Sequence, residues 1–366
     1  MTLTLADAWL HDLSPFLVRF TESFGLRWYG LSYALGFLAG YLQLRWLATR
    51  GLIAIPPHRC GDAILTVVVG VVVGGRLGYV LFYEPSLLWD ISSGAPWWGV
   101  LAINRGGMAS HGGMIGVVLA AWRLSRGWKL PDGTVEGRSS MLHVADALAF
   151  IAPAGLLFGR LANFVNGELL GRIAARPGET GPWWSVRFPQ EVLSGHDSMR
   201  TDAQSQALDQ LVFREARMPD EPWDLVYERI VEQIQAGGTE GTRLANELAP
   251  LLSARYSSQL LQAGAEGLVL AALLWIIWAR PRKPGVVGAW FLISYGLMRV
   301  LTELVRLPDA QVAMQRIMGL SRGQWLSVLM VAVGIAILYW RSRSAIERRG
   351  GWASRKSADP SAVTGG

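Results

Sequence analysis

A first group of polar residues lies at the end of an apolar stretch, where an unpaired charge would be costly. In the segment Gly159–Glu168, Arg160, Asn163 and Gly167 are spaced i, i+3 and i+7, so on a helix they share one face. A guanidinium, an amide and a bare backbone patch on one face suit an anionic headgroup such as a phosphate. A polar helix end that enters a loop is the alternative.

A second group has the spacing i, i+4, i+7 and consists of Arg299, Glu303 and Arg306. On a helix these three residues also share one face. The carboxylate between two guanidiniums would orient one of them as a two-pronged donor for phosphate. A structural ladder of salt bridges is the alternative.

His111 lies in a glycine-rich stretch, followed directly by Gly112 and Gly113. Histidine has an unperturbed pKa of about 6.5, which makes it a candidate general base. The glycines would let a lipid or a neighbouring backbone approach closely. A packed polar residue is the alternative.

Two further polar residues lie within apolar stretches. Arg76 follows Gly74-Gly75 and needs either an internal partner or an anion. Tyr29 begins an apolar stretch, where it either belongs to an interfacial aromatic belt or offers its hydroxyl to a ligand.

The elements that position these residues follow from composition. Hydrophobic residues make up 51% of the 366 residues and charged residues only 17%, whereas soluble proteins carry about 25% charged residues. We therefore expect an all-α, polytopic integral membrane protein. Its seven predicted transmembrane helices are Trp28–Leu47, Ala63–Tyr83, Gly107–Leu124, Leu142–Val165, Leu260–Ala279, Val286–Leu304 and Trp325–Trp340.

Other classes of protein lack support. A single cysteine, Cys60, excludes an intramolecular disulfide framework and a Cys-rich zinc site. The sequence has no P-loop, no dinucleotide fingerprint and no metal motif. We expect no cofactor, no metal and no nucleic-acid partner, because the basic residues of so hydrophobic a chain more often mark cytoplasmic loops.

Basic residues predict the orientation. With seven spans, four basic clusters fall on one side, which is therefore cytoplasmic, with the N-terminus outside and the C-terminus inside. These clusters are Arg45, Arg50 and Arg59; Arg123, Arg126, Lys129 and Arg138; Arg280, Arg282 and Lys283; and Arg341, Arg343, Arg348, Arg349, Arg355 and Lys356.

The chain divides into four predicted regions. Residues 1–165 hold an N-terminal interfacial segment, with a possible short helix over Leu3–Phe24, and helices one to four. Residues 166–258 carry nine Arg against fourteen Asp and Glu, a net formal charge of −5, and form a mainly helical extracytoplasmic subdomain. Residues 259–341 hold helices five to seven, and 342–366 form a disordered cytoplasmic tail.

The assembled motifs resemble the prolipoprotein diacylglyceryl transferase family. Five blocks match in order along nearly all the spans, and together they are highly specific. The blocks are Arg27–Leu31, Gly74–Tyr83, Met108–Gly113, Gly159–Arg172 and Arg299–Asp309.

The resemblance implies an enzyme of the bacterial cytoplasmic membrane. Such an enzyme transfers the diacylglyceryl group of phosphatidylglycerol to the lipobox cysteine of a prolipoprotein, forming a thioether and releasing glycerol phosphate. It implies activity or lipid binding for Tyr29, His111, Arg160, Asn163, Glu168, Gly171, Arg299 and Glu303. We add Arg306, Arg76, Gly112 and Gly113 as lipid-binding candidates, and expect a monomer among membrane lipids.

Two departures from the family pattern leave other functions open. Where the family reads His-Pro-Ser-Gln-Leu-Tyr-Glu, this chain has the segment Tyr256–Gln262, and its outer loop is longer. A non-catalytic phospholipid-binding paralogue is therefore one alternative. A lipid transporter is another, although the chain shows no internal repeat.

Overall fold

The computed structural model describes residues 7–20, 25–94, 96–103, 106–307 and 322–353, and this part of the chain is mostly helical. The helices are α1 (Trp28–Thr49), α2 (Cys60–Phe82), α3 (Ser110–Ser125), α4 (Met141–Val165), α5 (Asp202–Glu215), α6 (Trp223–Ala236), α7 (Gly238–Leu248), α8 (Ser258–Gln262), α9 (Leu270–Ile277), α10 (Val286–Glu303) and α11 (Arg322–Ser342). Short strands are β1 (Trp9–Leu10), β2 (Phe16–Arg19), β3 (Gly25–Arg27), β4 (Trp128–Lys129), β5 (Val135–Glu136), β6 (Ile173–Ala175), β7 (Val186–Arg187) and β8 (Ala254–Arg255).

Five stretches of helix in the described residues are long and apolar enough to cross a membrane: Pro57–Phe82, Met141–Val165, Ser258–Ile277, Val286–Glu303 and Gly323–Ser342. Helices α1 and α3 form where two further spans are predicted, but they are not among the five. Helix α3 has only 16 residues, fewer than the roughly 20 that a span needs. Helix α1 has 22 residues and includes Gln43 and Arg45, which lower its mean hydropathy.

The chain forms two compact units. The first comprises Met1–Gly36, Pro153–Leu270 and Ser294–Val331. The second comprises Phe37–Ala152, Ala271–Ile293 and Ala332–Gly366.

A small sheet and a buried ion pair organise the first unit. The strand order is β1-β7-β8-β6, in which β1 runs parallel to β7, while β7 and β6 run antiparallel to β8. The fully buried Arg255 on β8 donates from Nε to Glu191 at 2.5 Å. Glu191 also accepts from the backbone of Ser253 at 2.9 Å. Because this charge pair is hydrogen-bonded on both sides, it fixes the strands to the segment before α5.

Helices α5 to α7 share a hydrophobic core of their own, which includes Leu211, Tyr227, Ile230 and Leu244. Helix α5 begins with a capping box, in which the side chains of Thr201 and Gln204 satisfy each other's backbone amides. On the surface, the Arg229 guanidinium lowers the pKa of Glu221 to about 2 through a side-chain hydrogen bond. Helices α5 to α7 thus supply the helical part expected of residues 166–258.

The N-terminal segment is extended, so the predicted interfacial helix over Leu3–Phe24 is wrong for the part that the structure describes. Strands β2 and β3 pair antiparallel, with residues 21–24 of the connection outside the described residues. β-branched and aromatic side chains favour a strand here. Gly25 is required because a Cβ at that position would lie 2.5 Å from the carbonyl oxygen of Val18.

Also in the first unit, His11 is buried against Phe164 and Phe188. Its Nε2 lies 2.8 Å from the carbonyl oxygen of Phe164. Burial lowers the pKa of His11 because the charged ring would lose hydration. A neutral imidazole therefore attaches the N-terminal segment to the end of α4.

In the second unit, α2 and α3 pack backbone to backbone along a row of glycines. A Cβ on Gly112 would lie 2.1 Å from the carbonyl oxygen of Gly74, and a Cβ on Gly116 would lie 1.8 Å from that of Gly70. No side chain fits at either position. Small residues of this kind allow close helix packing in membranes.

Asp146, a carboxylate within the apolar helix α4, caps the start of α10. Its carboxylate accepts from the backbone amides of Gly285 and Gly288, each at 2.7 Å. The side chain is buried. A helix N-terminus leaves such amides without intrahelical partners, so Asp146 joins two helices.

We expect Asp146→Ala to lower the stability of the purified protein by about 1–3 kcal/mol, because buried amides would lose their acceptor. Asp146→Asn keeps one acceptor oxygen and should lose less. Thermal unfolding in detergent measures both variants. Equal melting temperatures for wild type and Asp146→Ala would contradict the capping role.

The segment after α11 is ordered as far as Ala353, so the prediction of a disordered tail over 342–366 is wrong for its first part. Arg282 and Arg349 exchange backbone hydrogen bonds of 3.0 and 2.8 Å. The indole of Trp352 donates to the carbonyl oxygen of Trp275 at 2.7 Å. These hydrogen bonds thus hold the segment against α9 and the α9–α10 connection. Residues 354–366 lie outside the described residues.

Candidate active site

The first unit brings together the residues of two predicted groups and Tyr29. Arg160 and Asn163 lie on the last turns of α4, while Arg299 and Glu303 lie on the last turns of α10. Tyr29 lies on the first turn of α1.

Arg160 forms an ion pair with Glu266, a residue that the sequence analysis did not assign to the site. Its Nε and Nη2 donate to one carboxylate oxygen at 3.2 and 3.0 Å. Glu266 is fully buried, and its other oxygen lies 3.3 Å from the hydroxyl of Thr302. The Arg160 guanidinium is therefore fixed in orientation by a carboxylate.

A π-helical segment, Ala263–Val269, places Glu266 against α4. The next residue, Gly267, allows this approach because a Cβ there would lie 2.7 Å from the Cβ of Leu157. π-helical turns interrupt helices most often at functional sites. The signal in the sequence was a carboxylate inside the apolar stretch Leu260–Ala279, followed directly by a glycine.

Tyr29, Asn163 and Glu168 form a second hydrogen-bonded cluster. The hydroxyl of Tyr29 donates to Glu168 at 2.5 Å. The amide nitrogen of Asn163 donates to the Tyr29 oxygen and, at 3.2 Å, to Glu168. Asn166 donates to the other Glu168 oxygen at 3.4 Å. Within the part of the chain that the structure describes, three neutral donors thus hold this cluster together.

The ion pair expected from the i, i+4 spacing is present. Arg299 Nη1 lies 2.9 Å from Glu303 Oε2, and both side chains are mostly buried. The prediction that Arg306 continues this helical face is wrong, because α10 ends at Glu303. Pro308 follows in the sequence, and a proline disfavours helical conformation in the residue before it.

Arg306 is instead buried on an extended segment that pairs with the loop after α4. Its backbone bridges to Gly171, and Leu307 donates to the carbonyl oxygen of Leu170 at 3.0 Å. A Cβ on Gly171 would lie 2.1 Å from the carbonyl oxygen of Tyr256. Because Gly171 has no side chain, the loop after α4 can contact both the segment of Arg306 and the segment of Tyr256.

A cleft of about 370 Å³ opens beside Glu168. Its walls are formed by the loop directly after α4, by residues 190–196 and by Leu307. The lining residues are Asn166, Gly167, Glu168, Leu169, Leu170, Gln190, Leu193, Ser194, His196 and Leu307.

The remaining predicted residues lie in the second unit. His111 is exposed on the first turn of α3. Gly112 packs against Gly74 of α2, whereas the nearest atom to a Cβ on Gly113 would be 3.7 Å away. Gly112 is therefore a packing residue in this structure, and Gly113 has space around it.

Arg76 is buried and donates to four main-chain carbonyls. Its partners are Gly99, Val100, Gly106 and Gly107, at 2.6, 2.8, 2.7 and 2.9 Å. These carbonyls belong to the segment that leads into α3. Arg76 thus positions that segment by internal hydrogen bonds.

No metal centre is evident in the part of the chain that the structure describes. None of its His, Cys, Asp and Glu side chains form a group of three or more that could hold a metal ion.

These features define a helical membrane protein in which two mostly buried arginines pair with carboxylates, and in which an open cleft lies beside Glu168. A family model for prolipoprotein diacylglyceryl transferase matches residues 15–340. The chain therefore belongs to the prolipoprotein diacylglyceryl transferase family.

Curated relatives agree over nearly the whole chain. Phosphatidylglycerol–prolipoprotein diacylglyceryl transferase of Bdellovibrio bacteriovorus is 38% identical over 94% of this chain and 97% of that protein. The protein of the same name from Burkholderia cenocepacia is 34% identical over 87% of this chain and 91% of its own length. That of Neisseria gonorrhoeae is 33% identical over 89% and 94%.

Proposed function

We propose that this protein transfers the diacylglyceryl group of phosphatidylglycerol to the lipobox cysteine of prolipoproteins. The sulfur forms a thioether bond to the glycerol carbon, the carbon–oxygen bond to phosphate breaks, and glycerol phosphate leaves with the electron pair. The observation that carries the proposal is the pairing of Arg160 with Glu266 and of Arg299 with Glu303. Both guanidiniums are thereby oriented in a membrane protein of this family.

In this reaction, negative charge grows on the leaving phosphate. Preorganised guanidiniums are most effective where charge develops in a site of low dielectric constant. We assign Arg160 and Arg299 to the phosphate. Glu266 and Glu303 would orient these two guanidiniums. Arg306 would support the loop after α4, with which its segment pairs. Asn163, Glu168 and Tyr29 would hydrogen-bond the headgroup.

The altered Tyr256–Gln262 segment keeps backbone contacts with the loop that carries Glu168. Ser258 donates to the carbonyl oxygen of Leu169 at 2.6 Å, and Gln259 donates to that of Glu168. Tyr256 donates its backbone amide to Arg172 at 3.0 Å. These contacts favour the enzyme over a non-catalytic paralogue, because Ser258 and Gln259, which match the Ser-Gln of the family pattern, still support the loop.

Purified protein incubated with phosphatidylglycerol and a lipobox peptide tests the proposal directly. The expected product is the peptide with a diacylglyceryl thioether, detected by mass. Lipid binding without a thioether product would indicate the non-catalytic paralogue. Movement of labelled phospholipid across a bilayer without transfer would indicate a lipid transporter.

We assign the role of general base to His111. A cysteine thiol has a pKa near 8.5, so only a small fraction is thiolate at neutral pH, and a base increases that fraction. Two features support the role: His111 is exposed, and the Arg76 hydrogen bonds fix the segment that precedes α3. Arg76 and Gly112 would then position His111 and need not contact lipid, while Gly113 leaves space for lipid.

His111→Gln should lower turnover by about 100- to 10,000-fold, the usual contribution of a general base. The apparent KM for phosphatidylglycerol should change little, because glutamine retains a polar side chain. His58→Gln, a change at an exposed histidine paired with Glu136, is the control and should keep normal turnover. Near-normal turnover of His111→Gln would exclude the base role.

The complete membrane arrangement is also proposed. It has seven transmembrane helices, with α1 and α3 added to the five apolar spans, and the N-terminus outside. Residues 166–258 then lie outside the cytoplasm, flanked by membrane regions 1–165 and 259–341. The protein would act as a monomer in the bacterial cytoplasmic membrane.

A further inference from the structure

A polar cleft of about 520 Å³ lies at the end of α3 in the second unit. It is lined by Trp122, Ser125, Arg126, Arg138 and Ser139. A backbone hydrogen bond of 3.0 Å from Ser139 to Ser125 joins the two stretches that form its walls. Two guanidiniums and two hydroxyls therefore surround one opening.

Neither Arg126 nor Arg138 has a carboxylate within 4.0 Å among the described residues, and both are exposed. The acidic residues nearest in sequence have other partners. Glu136 accepts from Arg59 at 2.6 Å, and Asp132 accepts from the hydroxyl of Thr134 at 2.7 Å. The cleft thus keeps two positive charges that no described acid neutralises.

The cleft also lies beside an apolar surface. Exposed side chains of α3 lead to it: Ile115, Val118, Leu119 and Trp122 are 55%, 54%, 59% and 47% exposed. The guanidinium of Arg126 lies 4.2 Å from the centre of the Trp122 ring, a cation–π contact. Tryptophan beside basic residues is typical of the boundary between acyl chains and headgroups.

We infer that this cleft binds the phosphate headgroup of an anionic phospholipid, whose acyl chains lie along the exposed face of α3. Guanidiniums bind phosphate by paired hydrogen bonds. The hydroxyls of Ser125 and Ser139 donate to main-chain carbonyls, so we assign phosphate binding to the two guanidiniums. In the proposed orientation the lipid belongs to the cytoplasmic leaflet. None of the five lining residues is among those proposed to act in diacylglyceryl transfer, so the site is an addition to that function.

Binding of cardiolipin to the full-length protein in detergent, measured by native mass spectrometry, tests the inference. Cardiolipin is the probe because phosphatidylglycerol is the proposed substrate. The double variant Arg126→Gln/Arg138→Gln should bind about 10- to 30-fold more weakly, since each basic residue contributes about fivefold near anionic lipid. Lys129→Gln/Arg348→Gln removes the same charge outside the cleft and should bind within about twofold of wild type.

Equal weakening in both double variants would overturn the inference, because it would indicate general electrostatic attraction. Equally tight binding of phosphatidylcholine would also overturn it. Displacement of cardiolipin by inorganic phosphate at similar concentration would identify a free-anion site and overturn the lipid assignment. Normal transferase turnover of the Arg126→Gln/Arg138→Gln variant would show that this variant is folded. If the double variant does not fold, the single variant Arg138→Gln is used in its place.

Discussion

Arg160→Lys is expected to lower turnover by about 100- to 1,000-fold, the cost of removing one preorganised donor to a developing charge. A guanidinium has five N–H donors, and Glu266 takes two of them from Arg160. Tyr295 also forms a side-chain hydrogen bond with Arg160, and we assign the remaining donors to the phosphate. A lysine ammonium is not planar, so it cannot hold Glu266 and a phosphate in the same geometry.

The steady-state assay with phosphatidylglycerol and a lipobox peptide measures this effect. Arg176→Lys, a change at an exposed arginine in residues 166–258, is the matched control and should stay within about twofold of wild type. Glu266→Gln keeps the shape of the carboxylate but removes its charge. It should also lose activity, since Arg160 would be less firmly oriented. Comparable rates for lysine and arginine at position 160 would count against the phosphate role.

The second large effect is expected at Gly112. A Cβ at this position would lie 2.1 Å from the carbonyl oxygen of Gly74, so α2 and α3 must separate in Gly112→Ala. Overpacking of this kind costs typically about 1–3 kcal/mol, occasionally more. Because α3 also carries His111, turnover should fall together with the melting temperature.

Gly113→Ala is the natural comparison, because the nearest atom to its Cβ would be 3.7 Å away, an ordinary contact. Its melting temperature should match that of wild type. The two variants differ by one position on the same helix turn and add the same methyl group. If both variants had the same melting temperature, close packing of α2 and α3 would not be the reason that position 112 requires glycine.

Local patterns predicted the features that depend on neighbours in sequence. The i, i+4 spacing of Arg299 and Glu303 predicted the ion pair, and the lengths of the apolar stretches predicted the long helices. Glu266 was missed because it lies 106 residues from Arg160 and meets it only through tertiary packing. No local period encodes such a contact.

The predictions that were wrong also failed because of contacts between residues far apart in sequence. Arg306 fits the helical spacing, but α10 ends first and the next segment gains backbone partners at Leu170 and Gly171. The segment after α11 looked too polar to fold by itself. It is ordered because hydrogen bonds from Trp352 and Arg349 reach residues about 70 positions earlier.

The carboxylate partners of Arg160 and Arg299 have a further consequence for product release. Glycerol phosphate carries more negative charge than the lipid phosphate from which it forms, so bare arginines would hold the product more tightly than the substrate. Glu266 and Glu303 pair with these guanidiniums, so in the proposed mechanism they would compete with the product for them. Each carboxylate would then act as an internal counter-ion that takes its arginine back, which would speed departure of the product and ready the site for the next lipid.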